Sequence, residues 1–406
     1  MVRFGLAAMH HPTLRVLLTC HDLAIRAGTQ LYTRDVAEEL RALGHSPVVF
    51  SPRLGEVAAE MRARGVAVVD DLDRLGEPPS IIHGQHHLEA MAAMLRFPTV
   101  PALFVCHGWL PWQEAPPRFP TLQRYIAVDA LRRDRLILEN GIAESQVSIL
   151  HNFVDLDRFR LRPPLPSRPR RALLLSNQAT PQVLTPAVER ACAESGIELA
   201  VAGFGTGRQA ARPEELLRSA DLVFARGRSA LEAMAVGAAV ILCDVEGCGP
   251  LVDTANFAAL RDLNFGMGTL RPPVDPDRLR AAIERYDSAE AARVQEIVRR
   301  EAGRKDAVAR LVELYREILA SPQEDNAAHT GDCLLAASRY VSWIGPALAA
   351  AGAELAAAET RLAETAATLE TLERSPFSRL RSRLLGWGPL VSAWRAITGK
   401  PARRPA

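Results

Sequence analysis

The chain has 406 residues, of which 48% are hydrophobic and 24% charged, a balance typical of a globular protein large enough for two domains with separate cores. This composition excludes disordered and fibrous classes. With 49 basic and 47 acidic residues the net charge is only +2, which argues against a nucleic-acid-binding protein that uses its whole surface.

Six cysteines are scattered along the chain without a C-x-x-C pair, which predicts buried thiols in a reducing compartment rather than a disulfide framework or a zinc site. The first apolar run, residues 14–18, is too short for the core of a signal peptide. No stretch approaches the roughly 18 uninterrupted apolar residues of a membrane span. The expected location is therefore cytoplasmic.

Short apolar runs alternate with helical patterns in the first part of the chain. The predicted strands are 14–20, 46–50, 66–69, 81–83 and 102–106, and the predicted helices are 30–43, 57–64 and 88–95. Strands separated by helices of this length indicate right-handed βαβ units and a doubly wound parallel sheet. We assign residues 1–165 to a Rossmann-like domain.

A linker interrupts this alternation at residues 160–171, where RLRPPLPSRPRR cannot continue either kind of element. The alternation then restarts with predicted strands 172–175, 198–202, 222–225 and 239–243 and helices 186–195, 214–219 and 229–236. Residues 166–320 are therefore predicted to form a second Rossmann-like α/β domain.

Residues 321–374 form an Ala-rich, Glu-rich and Thr-rich segment with a seven-residue repeat. The repeat consists of Leu348, Leu355, Leu362 and Leu369, with Ala351, Ala358, Thr365 and Leu372 three positions later. This spacing fits a coiled-coil seam through which the chain self-associates, and it fits equally a single amphipathic helix packed on its own domain.

The last segment, residues 375–406, carries seven basic residues and no acidic one. Phe377, Leu380, Leu384, Trp387, Val391 and Trp394 share one helical face, and four arginines lie off it. An apolar face with tryptophan beside a cationic face is typical of an interfacial helix on an anionic membrane. Packing against a partner protein is the alternative.

The most specific motif lies in residues 214–252, where a predicted buried strand ends in Arg226-Gly227-Arg228. Ser229 is predicted to cap the next helix with Glu232 three residues on, which is a capping box. Free N–H groups at a helix start beside two arginines form a site for a diphosphate. The alternative is that Glu232 is a capping partner only and that the arginines are solvated.

This segment resembles the donor-binding segment of family-4-type glycosyltransferases, which have a B-type fold of two Rossmann-like domains facing a cleft. The resemblance covers roughly residues 14–320 in collinear order and places Glu232, in LEAMA, on the ribose hydroxyls of the donor. The other matching positions are Gly28 in the loop after the first strand, His107 at the cleft, Asn152 and Asp155 before the linker, and Gly203 and Gly205 in the second domain.

Two positions depart from the family pattern. A second glutamate, expected eight residues before Glu232, is replaced by Phe224, and residues 175–178 offer no Arg or Lys for the diphosphate. We therefore expect Arg226 and Arg228 to supply that positive charge from the opposite side of the pocket, with Gly227 and Ser229 also at the donor.

The resemblance implies a cytoplasmic, membrane-associating glycosyltransferase that moves a sugar from a nucleotide-diphosphate sugar to a hydroxyl of a surface glycan or lipid-linked intermediate, with retention. It implies neither metal nor cofactor, with His107 at the sugar, and His83, His86 and His87 have no carboxylate at ligand spacing. Two other functions remain open, a non-catalytic partner in a glycan-assembly complex and a nucleotide-sugar epimerase or hydrolase. No nucleic acid partner is expected.

Overall fold

A computed structural model describes residues 12–108, 112–207, 212–321 and 326–374 of the chain. The chain divides into two compact units, Met1–Ala337 and Ser338–Ala406. The first unit contains one parallel sheet and one sheet that is parallel except for an edge strand, both flanked by helices, so the prediction of two Rossmann-like domains is confirmed.

The first sheet has seven parallel strands in the order β3-β2-β1-β4-β5-β6-β7. These are β1 (Arg15–Thr19), β2 (Ser46–Phe50), β3 (Ala67–Val69), β4 (Ile81–Gly84), β5 (Ala102–Cys106), β6 (Leu122–Ala127) and β7 (Val147–Ile149). The predicted elements omit β6 and β7, because β6 carries polar residues and β7 has only three residues.

The helices between these strands are α1 (Gly28–Ala42), α2 (Glu56–Ala63), α3 (His87–Arg96) and α4 (Ala130–Asp134). Helix α1 begins two residues before its predicted start and is unusually rich in buried polar side chains, among them Arg34 and Asp35. Because the strands are parallel, the loops that follow β1, β4 and β5 share one edge of the sheet.

The second sheet has five strands in the order β12-β11-β10-β8-β9. The strands β8 (Arg171–Leu175), β9 (Glu198–Ala202), β10 (Leu222–Ala225) and β11 (Ala239–Asp244) are parallel, and β12 (Gly247–Leu251) returns antiparallel to β11. The helices are α5 (Thr185–Glu194), α6 (Pro213–Ser219), α7 (Gly227–Val236), α8 (Phe257–Asp262), α9 (Pro276–Glu284) and α10 (Ser288–Glu301). The predicted linker contains no helix or strand between residues 160 and 170.

Helix α11 (Arg304–Ala320) belongs to the core of the first domain, although the sequence assigned it to the second domain, 166–320. Val308, Leu311 and Ile318 are buried in the same cluster as strands β1 and β5. The Oη atom of Tyr315 lies 2.6 Å from Nδ1 of His83, at the end of β4. The boundary is corrected because the apolar face of α11 is buried against the first sheet.

All six cysteines are free and buried, in agreement with the sequence. Burial raises the pKa of the Cys20 and Cys106 thiols to about 12, so both stay protonated at neutral pH. These cysteines therefore act as small apolar core residues.

The C-terminal helix α12 (Asn326–Arg374) runs from the end of the first unit through the described part of the second. Its leucine repeat is exposed to solvent. Within His329–Thr371 an 18-residue window reaches a mean hydropathy of 1.3 with at most two charged residues, which meets the criteria for a membrane span by length and composition only. The basic tail, residues 375–406, lies outside the described residues.

Candidate functional site

A cavity of about 390 Å³ lies between the carboxyl edges of the two sheets in the first unit. Ligands of open α/β sheets bind at this edge. The lining residues predicted from the sequence are Gly28, His107, Arg226, Gly227, Arg228 and Ser229. Glu232, Gly203 and Gly205 do not line this cavity.

Gly28 is the first residue of α1, and its N-terminal turn faces the cavity. A Cβ atom added at Gly28 would meet nothing within 4 Å, so the backbone here is open to a bound group. The helix start leaves N–H groups without an intrahelical acceptor, a favourable place for an anion. The role of Gly28 at the donor stays a prediction.

His107 follows β5 and is held by the first domain. Its Nε2 atom lies 2.8 Å from Oε1 of Gln85, and its ring makes an edge contact with Tyr32 at a centroid distance of 4.5 Å. Burial lowers the pKa of His107 well below its ordinary value, so the imidazole is neutral near pH 7.

A chain of hydrogen bonds determines which nitrogen of His107 carries the proton. The Thr33 hydroxyl donates to the carbonyl of Thr29 at 2.8 Å, so it accepts from Nε2 of Gln85 at 2.9 Å. The Gln85 amide must then present its oxygen to His107, which donates from Nε2. The Nδ1 atom of His107 is therefore an acceptor.

The Arg226-Gly227-Arg228 turn corrects the predicted capping box. Helix α7 begins at Gly227 with Arg226 as its N-cap residue and has no side-chain cap, so Ser229 lies inside the first turn. The N–H of Gly227, which has a φ of 56°, donates to the carbonyl of Phe265 at 2.6 Å. Arg228 and Ser229 both line the cavity. Because they lie in the first turn of the helix, their N–H groups have no carbonyl of the same helix to bond.

Arg228 joins the two domains. It bonds Asp35 on α1 of the first domain, and its Nε donates to Oε1 of Glu232 at 2.8 Å. Asp35 also accepts from Nη2 of Arg34 at 2.7 Å. Glu232 is thus engaged by a neighbouring arginine on its own helix, away from the cavity surface.

The two carboxylates beside Arg228 differ in their pKa values. Burial raises the pKa of Glu232, and Arg228 only partly opposes this. Burial acts in the same direction on Asp35, but Arg228 and Arg34 together outweigh it and hold its pKa at about 2. Two guanidinium groups face Asp35 and one faces Glu232, which explains the difference.

Arg226 faces the cavity from the other side of the turn. Its Nε bonds Asp244 at the end of β11, and its Nη2 lies 3.3 Å from Glu246 and 3.2 Å from Oε1 of Gln178. Because Asp244 and Glu246 flank Arg226, a diphosphate has to compete with both carboxylates for its guanidinium.

Gly203 and Gly205 allow two loops of the second domain to approach closely. Gly203 has a φ of 140°, and a Cβ atom there would lie 1.8 Å from the carbonyl oxygen of Ser176. A Cβ at Gly205 would lie 2.5 Å from the carbonyl oxygen of Ala179. These glycines position the loop after β8, which lines the cavity.

The structure also shows where the residues that depart from the family pattern lie. Phe224 is fully buried within β10, and it does not line the cavity. Ser176, Asn177 and Gln178 line the cavity where the family has cations. Ser176 donates to Oδ1 of Asp244 at 2.6 Å.

Sequence reasoning missed Asp129 and Arg132, which line the cavity after the overlooked strand β6. Asp129 accepts from the N–H of Arg132 at 2.8 Å and from its Nη1 at 2.7 Å. The predicted Asn152 also lines the cavity, whereas Asp155 pairs with Arg304 at 2.7 Å at the start of α11. The Asp-x-x-Arg spacing, which is typical of a helix start, was the available signal for the missed pair.

Cys20, His21 and His86 place possible metal-ligand atoms within 4.8 Å of one another. The Nδ1 atom of His86 accepts from the N–H of His21 at 3.3 Å, so its Nε2 carries the proton and donates to Nδ1 of His21 at 3.2 Å. The Cys20 thiol donates to the carbonyl of Asp22 at 3.3 Å, and burial raises its pKa to about 12. That the chain needs no metal stays a prediction.

Comparisons with known proteins agree with the resemblance. The family model described as Glycosyltransferase Family 4 matches residues 26–158. A glycosyltransferase from Rickettsia africae ESF-5 is similar in structure, with a TM-score of 0.59 at 15% identity over 77% of this chain and 100% of that one. HepE of Anabaena, crystallised with UDP and glucose, has a TM-score of 0.56 at 13% identity over 75% of this chain and 100% of its own. No curated protein sequence matches the chain.

Proposed function

We propose that this chain, which has a B-type fold and whose residues 26–158 match glycosyltransferase family 4, transfers a sugar from a nucleotide-diphosphate sugar to a hydroxyl group. The acceptor in this proposal is a growing surface glycan or a lipid-linked intermediate, and the anomeric configuration is retained. One observation carries the proposal: the cavity lies between the two sheets and is lined by the first turn of α1 from one domain and of α7 from the other.

The donor diphosphate is proposed to lie at the start of α7. Arg226, Arg228 and Ser229 line the cavity there. The donors proposed to meet the diphosphate are the guanidinium of Arg226 and the N–H groups of Arg228 and Ser229. As the bond to the departing diphosphate breaks, charge grows on the phosphate oxygens, and these donors stabilise it electrostatically. Arg226 turns from Asp244 and Glu246 to the phosphate in this step.

The sugar is proposed to lie toward the first domain, against His107. An imidazole that is neutral and presents Nδ1 as an acceptor receives a hydrogen bond from a sugar hydroxyl and does not act as a cation. Gln85 and Thr33 keep the imidazole in this state. His107 thus orients the sugar, and catalysis rests on charge stabilisation.

We propose a cytoplasmic protein that binds the inner membrane face, where a lipid-linked acceptor would lie. The segment proposed to reach anionic lipid is the basic tail, residues 375–406. Deleting it should release the protein from anionic liposomes and leave donor binding unchanged. Full-length protein that ignores such liposomes at low salt would contradict this role.

A second function, the non-catalytic partner, is favoured by a different observation. Each arginine of the α7 turn is already paired with a carboxylate, and Phe224 stands where the family has a glutamate. A chain of this kind would keep the fold and organise a glycan-assembly complex without binding donor.

The deciding experiment is a panel of nucleotide sugars scored by thermal shift, followed by assays of transfer and hydrolysis. UDP-glucose comes first, since HepE was crystallised with UDP and glucose. Arg226→Gln should reduce the shift, whereas the control Arg190→Gln, on an exposed face of α5, should not. If no nucleotide sugar shifts the melting temperature and none is turned over, the second function replaces the first.

A further inference from the structure

The exposed leucine repeat of α12 forms an unpartnered stripe. With Leu348 taken as position a of a heptad, positions a are Leu348, Leu355 and Leu362, and positions d are Ala351, Ala358 and Thr365. Leu355 and Leu362 are 62% and 71% exposed. A helix that leaves a whole seam of leucines in water gains stability when a second helix covers it.

Few charged residues lie beside this seam, and they indicate whether two paired helices would run parallel or antiparallel. Within residues 348–365, the g positions that carry charge are Glu354 and Arg361, and the charged e position is Glu359. In a parallel pair, position g of one helix faces position e of the next heptad on the other helix. Glu354 would then face Glu359 of the second copy twice, which is repulsive.

In an antiparallel pair, g positions face g positions, and the result depends on the register. When Leu355 faces Ala358 of the second copy, Glu354 faces Arg361 twice, and both contacts are attractive. A shift of one heptad in one direction brings Glu354 against Glu354, and a shift in the other brings Arg361 against Arg361. One antiparallel register is therefore favoured over its two neighbours and over the parallel arrangement.

This register also pairs large with small side chains in each layer of the helix interface. Each leucine at a lies opposite a small residue at d, namely Leu348 with Thr365, Leu355 with Ala358 and Leu362 with Ala351, and two-fold symmetry repeats each layer once. Small residues at d let the two helices approach closely, and the six layers span about 26 Å along the axis.

We propose that the second copy of this chain is the partner of the stripe, through an antiparallel helix pair centred between Ala356 and Ala357. The pair is an isologous interface, independent of the proposed transferase activity. It makes α12 an assembly element with one defined register.

Charge reversal tests orientation and register in the full-length protein by sedimentation equilibrium. Glu354→Arg and Arg361→Glu should each weaken the dimer about tenfold, because each turns two attractive contacts into repulsive ones. The double variant Glu354→Arg/Arg361→Glu should restore the original affinity. Glu364→Arg, the same change at an outer c position, is the matched control and should have no effect.

The opposite result distinguishes the arrangements. In a parallel pair Glu354→Arg would face Glu359 and tighten the dimer, which would overturn the proposal. Spin labels give an independent reading, since the native cysteines are buried and an introduced cysteine is labelled selectively. The antiparallel register predicts a short distance between labels at Ala356 and about 40 Å along the axis between labels at Glu370.

A membrane is the other surface that would cover this stripe. Dimerisation is measured with and without vesicles of neutral and anionic lipid. A monomer at all concentrations that sediments with the vesicles, and loses this with Leu355→Glu, would assign the stripe to lipid and refute the helix pair. A monomer that ignores vesicles would refute it as well.

Discussion

Replacing Asp35 with Asn should uncouple the two domains of the first unit. Asp35 and Arg34 have side chains that are 1% and 2% exposed, and Arg228 is 12% exposed, so the network is shielded from solvent. Its cations are Arg34 and Arg228, and the carboxylates that they bond are Asp35, Glu232 and Glu60. Asn leaves Arg228 with Glu232 as its remaining carboxylate partner, whereas Arg34 keeps Glu60, whose Oε2 lies 3.2 Å from its Nη1.

The loss of stability in Asp35→Asn can be estimated from the structure. The pKa of Asp35 falls from 3.8 to about 2 in the folded protein, which corresponds to about 2 kcal/mol of stabilisation at neutral pH. Removing one partner of a buried ion pair costs up to about 5 kcal/mol. We expect Asp35→Asn to lower the free energy of unfolding by about 2 to 5 kcal/mol at pH 7.

The pH dependence has a definite sign. A carboxyl group with a lowered pKa stabilises the folded state fully above its unfolded value of 3.8 and loses this contribution as the pH falls toward about 2. The difference between wild type and Asp35→Asn should therefore be constant from pH 7 to pH 5 and shrink below pH 4.

The assay is urea unfolding of both proteins across this pH range, combined with a double-mutant cycle that includes Arg228→Gln. The exposed pair Asp70 and Arg74 is the control and should show a coupling of under about 1 kcal/mol. A coupling between Asp35 and Arg228 no larger than that of the control pair would refute the reasoning. So would a difference that persists unchanged at pH 3.

Three further predictions concern the cavity. Gln85→Leu should let His107 exchange between tautomers, seen in the ¹³Cδ2 chemical shift of a labelled imidazole, and should lower kcat more than it raises KM; an unchanged shift would show that Gln85 does not determine the tautomer. Arg226→Gln should weaken binding of a nucleoside diphosphate far more than of the bare nucleoside, because only the former is charged; equal losses would contradict its role. Gly203→Ala should destabilise the protein by more than about 2 kcal/mol, since its Cβ would overlap a carbonyl oxygen, whereas Gly28→Ala should leave stability nearly unchanged and reduce donor binding by filling open space.

Local sequence patterns predicted the strands and the cavity edge well. The strands β9 and β10 have the bounds predicted from the sequence, 198–202 and 222–225, and Gly28 and His107 line the cavity because each follows a strand of a parallel sheet. Such features depend on neighbours in the chain, so periodicity and turn residues reveal them.

Contacts between segments that are distant in the chain could not be predicted, because they leave no local pattern in the sequence. Asp35 and Arg228 lie 193 residues apart, and neither position shows a motif that announces the other. The capping box failed for a related reason, because the bond from Gly227 to Phe265 starts the helix two residues early. Arg132 was missed together with strand β6, whose polar residues hide its apolar pattern.

The position of α11 has a consequence for biosynthesis. The first domain is completed by a segment that follows the whole second domain in the chain, and the two crossings between the domains are bonded to each other, from the N–H of Val154 to the carbonyl of Ala302 at 2.8 Å. During translation the apolar face of the first sheet that α1 and α2 partly cover therefore lacks α11 until residues 304–320 leave the ribosome, by which time the second domain is already synthesised. A nascent chain from which residues 304–320 have not yet emerged should remain protease-sensitive in its N-terminal half. Emergence of that segment should make this half resistant to protease.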